Sequence, residues 1–92
     1  MRLIFSWEPK KAGANLEKHG VSFEDASTAF GDPLSVTVSD PAQSDDETRF
    51  VLVGRSFRGE LLVVVHSEQE NSIRIISARE ATRRERRDYE QA

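Results

Sequence analysis

The chain has 92 residues, no cysteine and a formal net charge of −3, with 32% of its residues charged. That length allows one domain with a modest core, and the lack of cysteine excludes a disulfide framework and thiolate chemistry, as suits a reducing compartment. No apolar run approaches the roughly 18 residues needed to cross a membrane, and the N-terminus has no signal-peptide pattern, so a soluble, cytoplasmic product is expected.

Arg2 to Trp7 reads as a first strand, with Leu3, Phe5 and Trp7 on one face. Pro9 suits the first turn of a helix that runs from Lys10 to Lys18, with Ala12, Leu16 and His19 on one stripe. Gly13 weakens that helix and Gly20 ends it. A second helix starts at once, with Ser22 as N-cap, Asp25 three positions on, and Phe23, Ala26, Ala29 and Phe30 as the buried face. Gly31-Asp32-Pro33 closes it.

Leu34 to Ser39 follows as a short strand, and Asp40 to Asp46 as a polar, acidic loop. Thr48 to Arg55 and Leu61 to His66 alternate around Ser56-Phe57-Arg58-Gly59, a hairpin signal. After a polar turn at Glu68 to Asn71, Ile73, Ile75 and Ile76 begin a fifth strand. Ser77 can then cap a C-terminal helix, with Glu80 completing an S-x-x-E capping box. On that helix Ala78, Ala81, Thr82, Glu85 and Tyr89 share a face, with Arg79, Arg83, Arg86 and Arg87 beside it. The expected order is β-α-α-β-β-β-β-α, an α+β domain whose sheet is largely antiparallel with helices packed on it.

Charge is strongly segregated. Gly20 to Thr48 holds seven acids and no lysine or arginine, whereas nine of the ten arginines come later. A chain of slightly negative total charge can therefore still present a basic face to a polyanion. The plainer reading of the C-terminal segment is a solvated helix laced by pairs such as Glu80 with Arg84 and Arg84 with Asp88.

No metal-ligand spacing, glycine-rich phosphate loop or hydrolase triad order occurs, so any chemistry is expected to need neither metal nor nucleotide cofactor. Strand-borne polar groups remain. Arg49 and Arg55 share a face with Val51 and Val53; His66 shares one with Leu62 and Val64; Arg74 shares one with Ile76. Arg74 is either an edge residue or a charge placed inward. If register joined these with Tyr89, the set would suit RNA cleavage without metal. A base takes the 2′-hydroxyl proton, arginines stabilise the phosphorane, and an acid protonates the leaving 5′-oxygen. Histidine titrates in the range for either proton transfer.

Several stretches together resemble the BrnT family. They are Phe5-Ser6-Trp7, Asn15, Lys18 through Ala26, Phe30-Gly31-Asp32-Pro33, Glu47-Thr48-Arg49, Gly54-Arg55-Ser56, Arg74 through Arg79, Glu85-Arg86 and Tyr89. Glu8 departs from the aspartate usual after the tryptophan, and Gly59-Glu60 from the common Gly-Arg. The resemblance implies a RelE/ParE-like fold and the toxin of a type II toxin–antitoxin pair, a ribonuclease that arrests translation. It implies a BrnA-type antitoxin that binds operator DNA, in a complex of two toxins on an antitoxin dimer. By the same resemblance the active surface lies around Arg49, Arg55, His66, Arg74, Arg79 and Tyr89, with Lys18, His19, Arg83 and Arg86 as RNA-binding residues. A toxin that has lost catalysis and only binds its antitoxin, or one that poisons gyrase, is the alternative on this scaffold.

Overall fold

A computed structural model describes residues 3–40 and 48–91. Its elements are β1 (Ile4–Ser6), α1 (Pro9–His19), α2 (Phe23–Thr28) running into a 3₁₀ turn (Ala29–Gly31), β2 (Val36–Ser39), β3 (Arg49–Arg55), β4 (Leu61–Gln69), β5 (Ser72–Glu80) and α3 (Arg83–Gln91). They follow the expected order. The five strands form one sheet in the order β1-β5-β4-β3-β2, antiparallel except for the parallel pair β1 and β5. The two N-terminal helices thus carry the chain from one edge of the sheet to the other, and four strands meander back. Apart from Asp40, the expected acidic loop lies outside the described residues, as do Arg2 and Glu47.

Local chemistry explains how that crossing is made. Pro9 opens α1, and Gly20 closes it in the left-handed region at φ 72°, its N–H donating to the Leu16 carbonyl. Ser22 then caps α2, its Oγ accepting from the Asp25 N–H at 3.0 Å. Val21 between the helices, Phe23 and Ala26 of α2 and Ala29 of the 3₁₀ turn bury against Leu52, Leu62, Val64, Ile73, Ile75 and Ala78 of the sheet. Phe5, Trp7, Ala12 and Phe30 pack around this core, with Trp7 edge-on to Phe23 at 6.0 Å. Gly54 permits the closest approach: a Cβ there would meet the Ala29 carbonyl oxygen at 2.8 Å.

The stripe expected on α1 needs correcting. Leu16 is 51% exposed, and the buried residue of α1 is Asn15. Asn15 Nδ2 donates to the carbonyls of Val21 (3.0 Å) and Ala78 (2.8 Å), while Oδ1 accepts from the Ala78 N–H at 3.1 Å. The reason lies in β5. Strand β1 pairs with it only from Ser72 to Arg74. Further along, the side of β5 facing away from β4 would leave Ala78 unpaired under α1, and the Asn15 amide stands in for the missing strand.

The strand-to-helix switch also falls later than expected. Ser77 caps nothing: β5 continues to Glu80, because β4 offers ladder partners to Ser77, Ala78, Arg79 and Glu80. The capping box sits five residues on, where Glu85 N–H donates to Thr82 Oγ1 (3.1 Å) and Thr82 N–H to Glu85 Oε1 (2.8 Å). Arg79 and Glu80 are therefore strand residues, and the expected helical pair of Glu80 with Arg84 cannot form. Within β5, Val65 pairs with Ser77 but His66 with Ile75, so Ile76 is an extra, bulged residue.

Asn15→Ala should destabilise the fold by about 2–4 kcal/mol, since it strands a buried donor and acceptor of Ala78 at once. The midpoint of urea unfolding, at unchanged slope, reads this directly.

Candidate nucleic-acid interface

Residues opposite each other in register project from the same face of a sheet. One such row runs Ser6, Arg74, Ser67, Arg49 across β1, β5, β4 and β3. Another runs Val36, Val53, Val63, Arg79 across β2 to β5. Both rows are on the face away from the core, and Arg55, two residues beyond Val53, shares it. All four strand-borne arginines thus point to one side. For Arg74 and Arg79, five residues apart, only the bulge at Ile76 makes this so, because regular alternation would send them to opposite faces.

Sharing a face is not sharing a pocket. Arg49 and Arg55 are six residues apart along β3, or on the order of 20 Å. The expectation that these cations converge on a single phosphodiester is therefore corrected by strand rise alone. They form two basic ends. At the first, Arg49 and Arg74 flank Ser67, beside a polar cavity of about 470 Å³ lined by Ser6, Ser67, Ser72 and Arg74 among others. Arg74 is exposed, and Arg49 Nε is buried with no hydrogen-bond partner among the described residues.

At the second end the arginines meet α3. Arg79 holds Glu85 through two parallel hydrogen bonds of 2.8 and 2.9 Å, which aim the helix across this face. Arg55 Nη1 donates to the Gly59 carbonyl (3.0 Å), and its guanidinium lies 5.8 Å from the centre of the Tyr89 ring. Tyr89 Oη donates to Asp32 Oδ2 at 2.5 Å, and the same oxygen accepts from the Arg55 N–H at 2.8 Å. Asp32 Oδ1 accepts from the Leu34 N–H. This carboxylate fastens α3 to the loop before β2. In the sequence Asp32 marks only the end of a helix, and an Asp-Pro after Gly carries no mark of a partner 57 residues away.

The hydrogen bonds set the protonation states. The bond to Asp32, helped by burial, holds the Tyr89 phenol above its ordinary range, so it stays a neutral donor. Burial alone would raise the Asp32 carboxyl, but the bonds from Tyr89, Arg55 and Leu34 outweigh it and hold it low. The Arg79 guanidinium brings Glu85 from its ordinary 4.5 to about 2.

Not every candidate joins this face. His66 alternates with Ser67 and faces the core; it is 0% exposed, between Phe30 (4.8 Å, edge-on) and Phe50 (5.9 Å, stacked). Its Nε2 bonds Glu68 Oε2 at 2.8 Å, and its Nδ1 is buried without a partner among the described residues. Lys18 and His19 are exposed at the end of α1, on the helical side of the sheet. Arg83, exposed, and Arg86, half-buried, extend the second basic end along α3.

A family model described as "Ribonuclease toxin, BrnT, of type II toxin-antitoxin system" matches residues 7–85. This chain belongs to the BrnT family. The crystal structure of the Brucella abortus ribonuclease toxin BrnT superposes with a TM-score of 0.61 at 22% identity, covering 90% of this chain and 99% of that one. That likeness speaks to the fold, which the two share. No match was found among curated proteins. The five-stranded, mostly antiparallel α+β architecture is thus a BrnT architecture, and the chain is a ribonuclease toxin of the type II class, a class defined by an antitoxin partner.

Because the folded pKa of Glu85 lies below its ordinary value, the Arg79–Glu85 joint stabilises fully above about pH 4.5 and is lost as pH falls toward 2. Asp32 acts in the same direction. With solvent screening this amounts to about 1 kcal/mol for Glu85. Glu85→Gln should flatten that part of the stability-against-pH curve, read by thermal unfolding between pH 2 and 6.

Proposed function

We propose that this BrnT toxin is a metal-independent RNA endonuclease that halts translation in the cytoplasm and is silenced by a BrnA-type antitoxin. The observation that carries the reading is the placement of Arg49, Arg55, Arg74 and Arg79 on one face of the sheet. A single strand of RNA laid along that face would meet cations over on the order of 20 Å, enough for several consecutive phosphates.

The two ends suit different tasks. Arg49 and Arg74, beside the polar cavity, offer guanidinium donors to the non-bridging oxygens of a phosphate as the 2′-oxygen attacks it, where a fixed donor contributes most. Solvent in that cavity would take the 2′-hydroxyl proton and protonate the leaving 5′-oxygen there, while Arg55 and Tyr89, on the order of 20 Å away with the Tyr89 proton engaged by Asp32, hold a more distant nucleotide of the same strand. Arg79 acts through Glu85 by fixing α3. His66 lies behind the sheet and supports Glu68 rather than exchanging a proton with RNA. Arg83 and Arg86 add phosphate contacts, and Lys18 and His19 sit too far round the molecule for the same strand. Arginines supply the positive charge in this scheme. The antitoxin, a DNA-binding dimer carrying two toxins, would cover the arginine face with acidic and apolar groups and alone contact the operator. The same reading, on motif resemblance, groups the fold with the RelE/ParE-like toxins.

Purified protein should cut single-stranded transcripts in the presence of EDTA, and Arg49→Ala or Arg74→Ala should slow cutting roughly 100- to 1000-fold without altering the unfolding curve. Expression in bacteria separates the rival outcomes. Arrest with fragmented transcripts fits the proposal, no arrest points to a silent antitoxin-binding subunit, and double-strand DNA breaks with intact RNA point to gyrase.

A further inference from the structure

Phe57 is 90% exposed, more than any other large apolar side chain among the described residues. Its backbone nonetheless is firmly tied. The β3–β4 turn is closed by Ser56 N–H to the Glu60 carbonyl (2.8 Å) and Gly59 N–H to the Ser56 carbonyl (2.9 Å), with Gly59 at φ 90°. The Phe57 N–H donates to Thr28 Oγ1 (2.8 Å), whose own proton goes to the Asp25 carbonyl (2.6 Å). A rigid tip thus presents an aromatic ring to water.

Beside the ring is a shallow depression shared with Thr28, Gly31, Asp32, Arg55 and Ser56. Ser56 is 5% exposed, and its Oγ is buried with no hydrogen-bond partner among the described residues. Asp32 is already engaged by three donors. The lining contains no Leu, Ile, Val or Met, so it lacks the aliphatic wall that an apolar protein segment would fill. It offers a π-face, a guanidinium and a spare hydroxyl, with Arg58 next along the turn.

We propose that Phe57 is the stacking platform for one unpaired nucleobase of the RNA, with Ser56 Oγ bonding the base edge and Arg55 the adjoining phosphate. The inference rests on the ribonuclease reading and gives it a specificity element, since the base stacked at the hairpin tip would set which linkage lies along the arginine face.

The test is binding of labelled 2′-O-methyl RNA hexamers, which cannot be cleaved, alongside an abasic hexamer of equal length. Phe57→Ala should weaken the base-bearing hexamers about 5- to 100-fold and leave the abasic one unchanged. Phe57→Trp should bind as the unaltered chain does, and Phe57→Leu as Phe57→Ala does. Equal binding by Phe57→Leu and the unaltered chain, or loss confined to antitoxin affinity, would mean that the ring packs against protein, and overturns the proposal. An unaltered chain that neither binds nor cuts RNA sinks the ribonuclease reading as well; one that does both, while Phe57→Ala matches it, sinks only the stacking site.

Discussion

The amide of Asn15 is the contact on which the arrangement of layers rests. β5 has α1 and α2 packed above it and partners on both sides, yet β1 accompanies it for three residues. Beyond them its backbone would be buried and unpaired, a cost of several kcal/mol that no packing of Phe23 or Ile75 against it would remove. With one side chain, α1 supplies a donor and an acceptor to Ala78 and a second donor to Val21. The helix, the inter-helix turn and the latter half of β5 are locked to one another in a single geometry. Because the arginine positions on β5, and through β4 those on β3, are counted from that lock, the basic face inherits its precision.

That face shows how a chain of net charge −3 can address a polyanion. The strands project cations from one side, and the core lies on the other. Part of the charge is spent on architecture: Arg79 is neutralised by Glu85, and the Asp32 carboxylate is saturated by Tyr89 and two backbone amides. At the two ends, Arg49 has a buried Nε with no hydrogen-bond partner among the described residues, and Arg55 leans over an aromatic ring. Holding α3 by side-chain bonds rather than by a buried stripe leaves its arginines outward, and none of its residues is buried.

Much of this was legible in the sequence where short-range chemistry decides. The Ser22 cap, the Gly20 stop, the hairpin around Ser56 to Gly59 and the element order all follow from rules spanning a few residues. The misses share another cause. Ser77-x-x-Glu80 and Thr82-x-x-Glu85 are equally good capping boxes, and only the ladder offered by β4 selects the second. Asn15 looks like a solvent-facing helix residue until the edge it completes is known, and Leu16 then loses the core position its hydrophobicity suggested. His66 fell among the candidates because strand faces can be read only relative to one another; which face meets water is fixed by the helices. The shared side of Arg49 and Arg55 was visible from their even spacing, whereas their distance from one pocket needed only the rise per residue.

The bulge at Ile76 turns a counting rule into a marker. Two guanidinium groups at an odd interval on one strand can look the same way only if one intervening residue is out of step, as happens between Arg74 and Arg79. A homologue whose strand runs without that kink would have to space its corresponding cations by an even number to keep both toward the polyanion. The parity of that interval, read from any related chain, therefore reports whether the strand is kinked before a coordinate is seen.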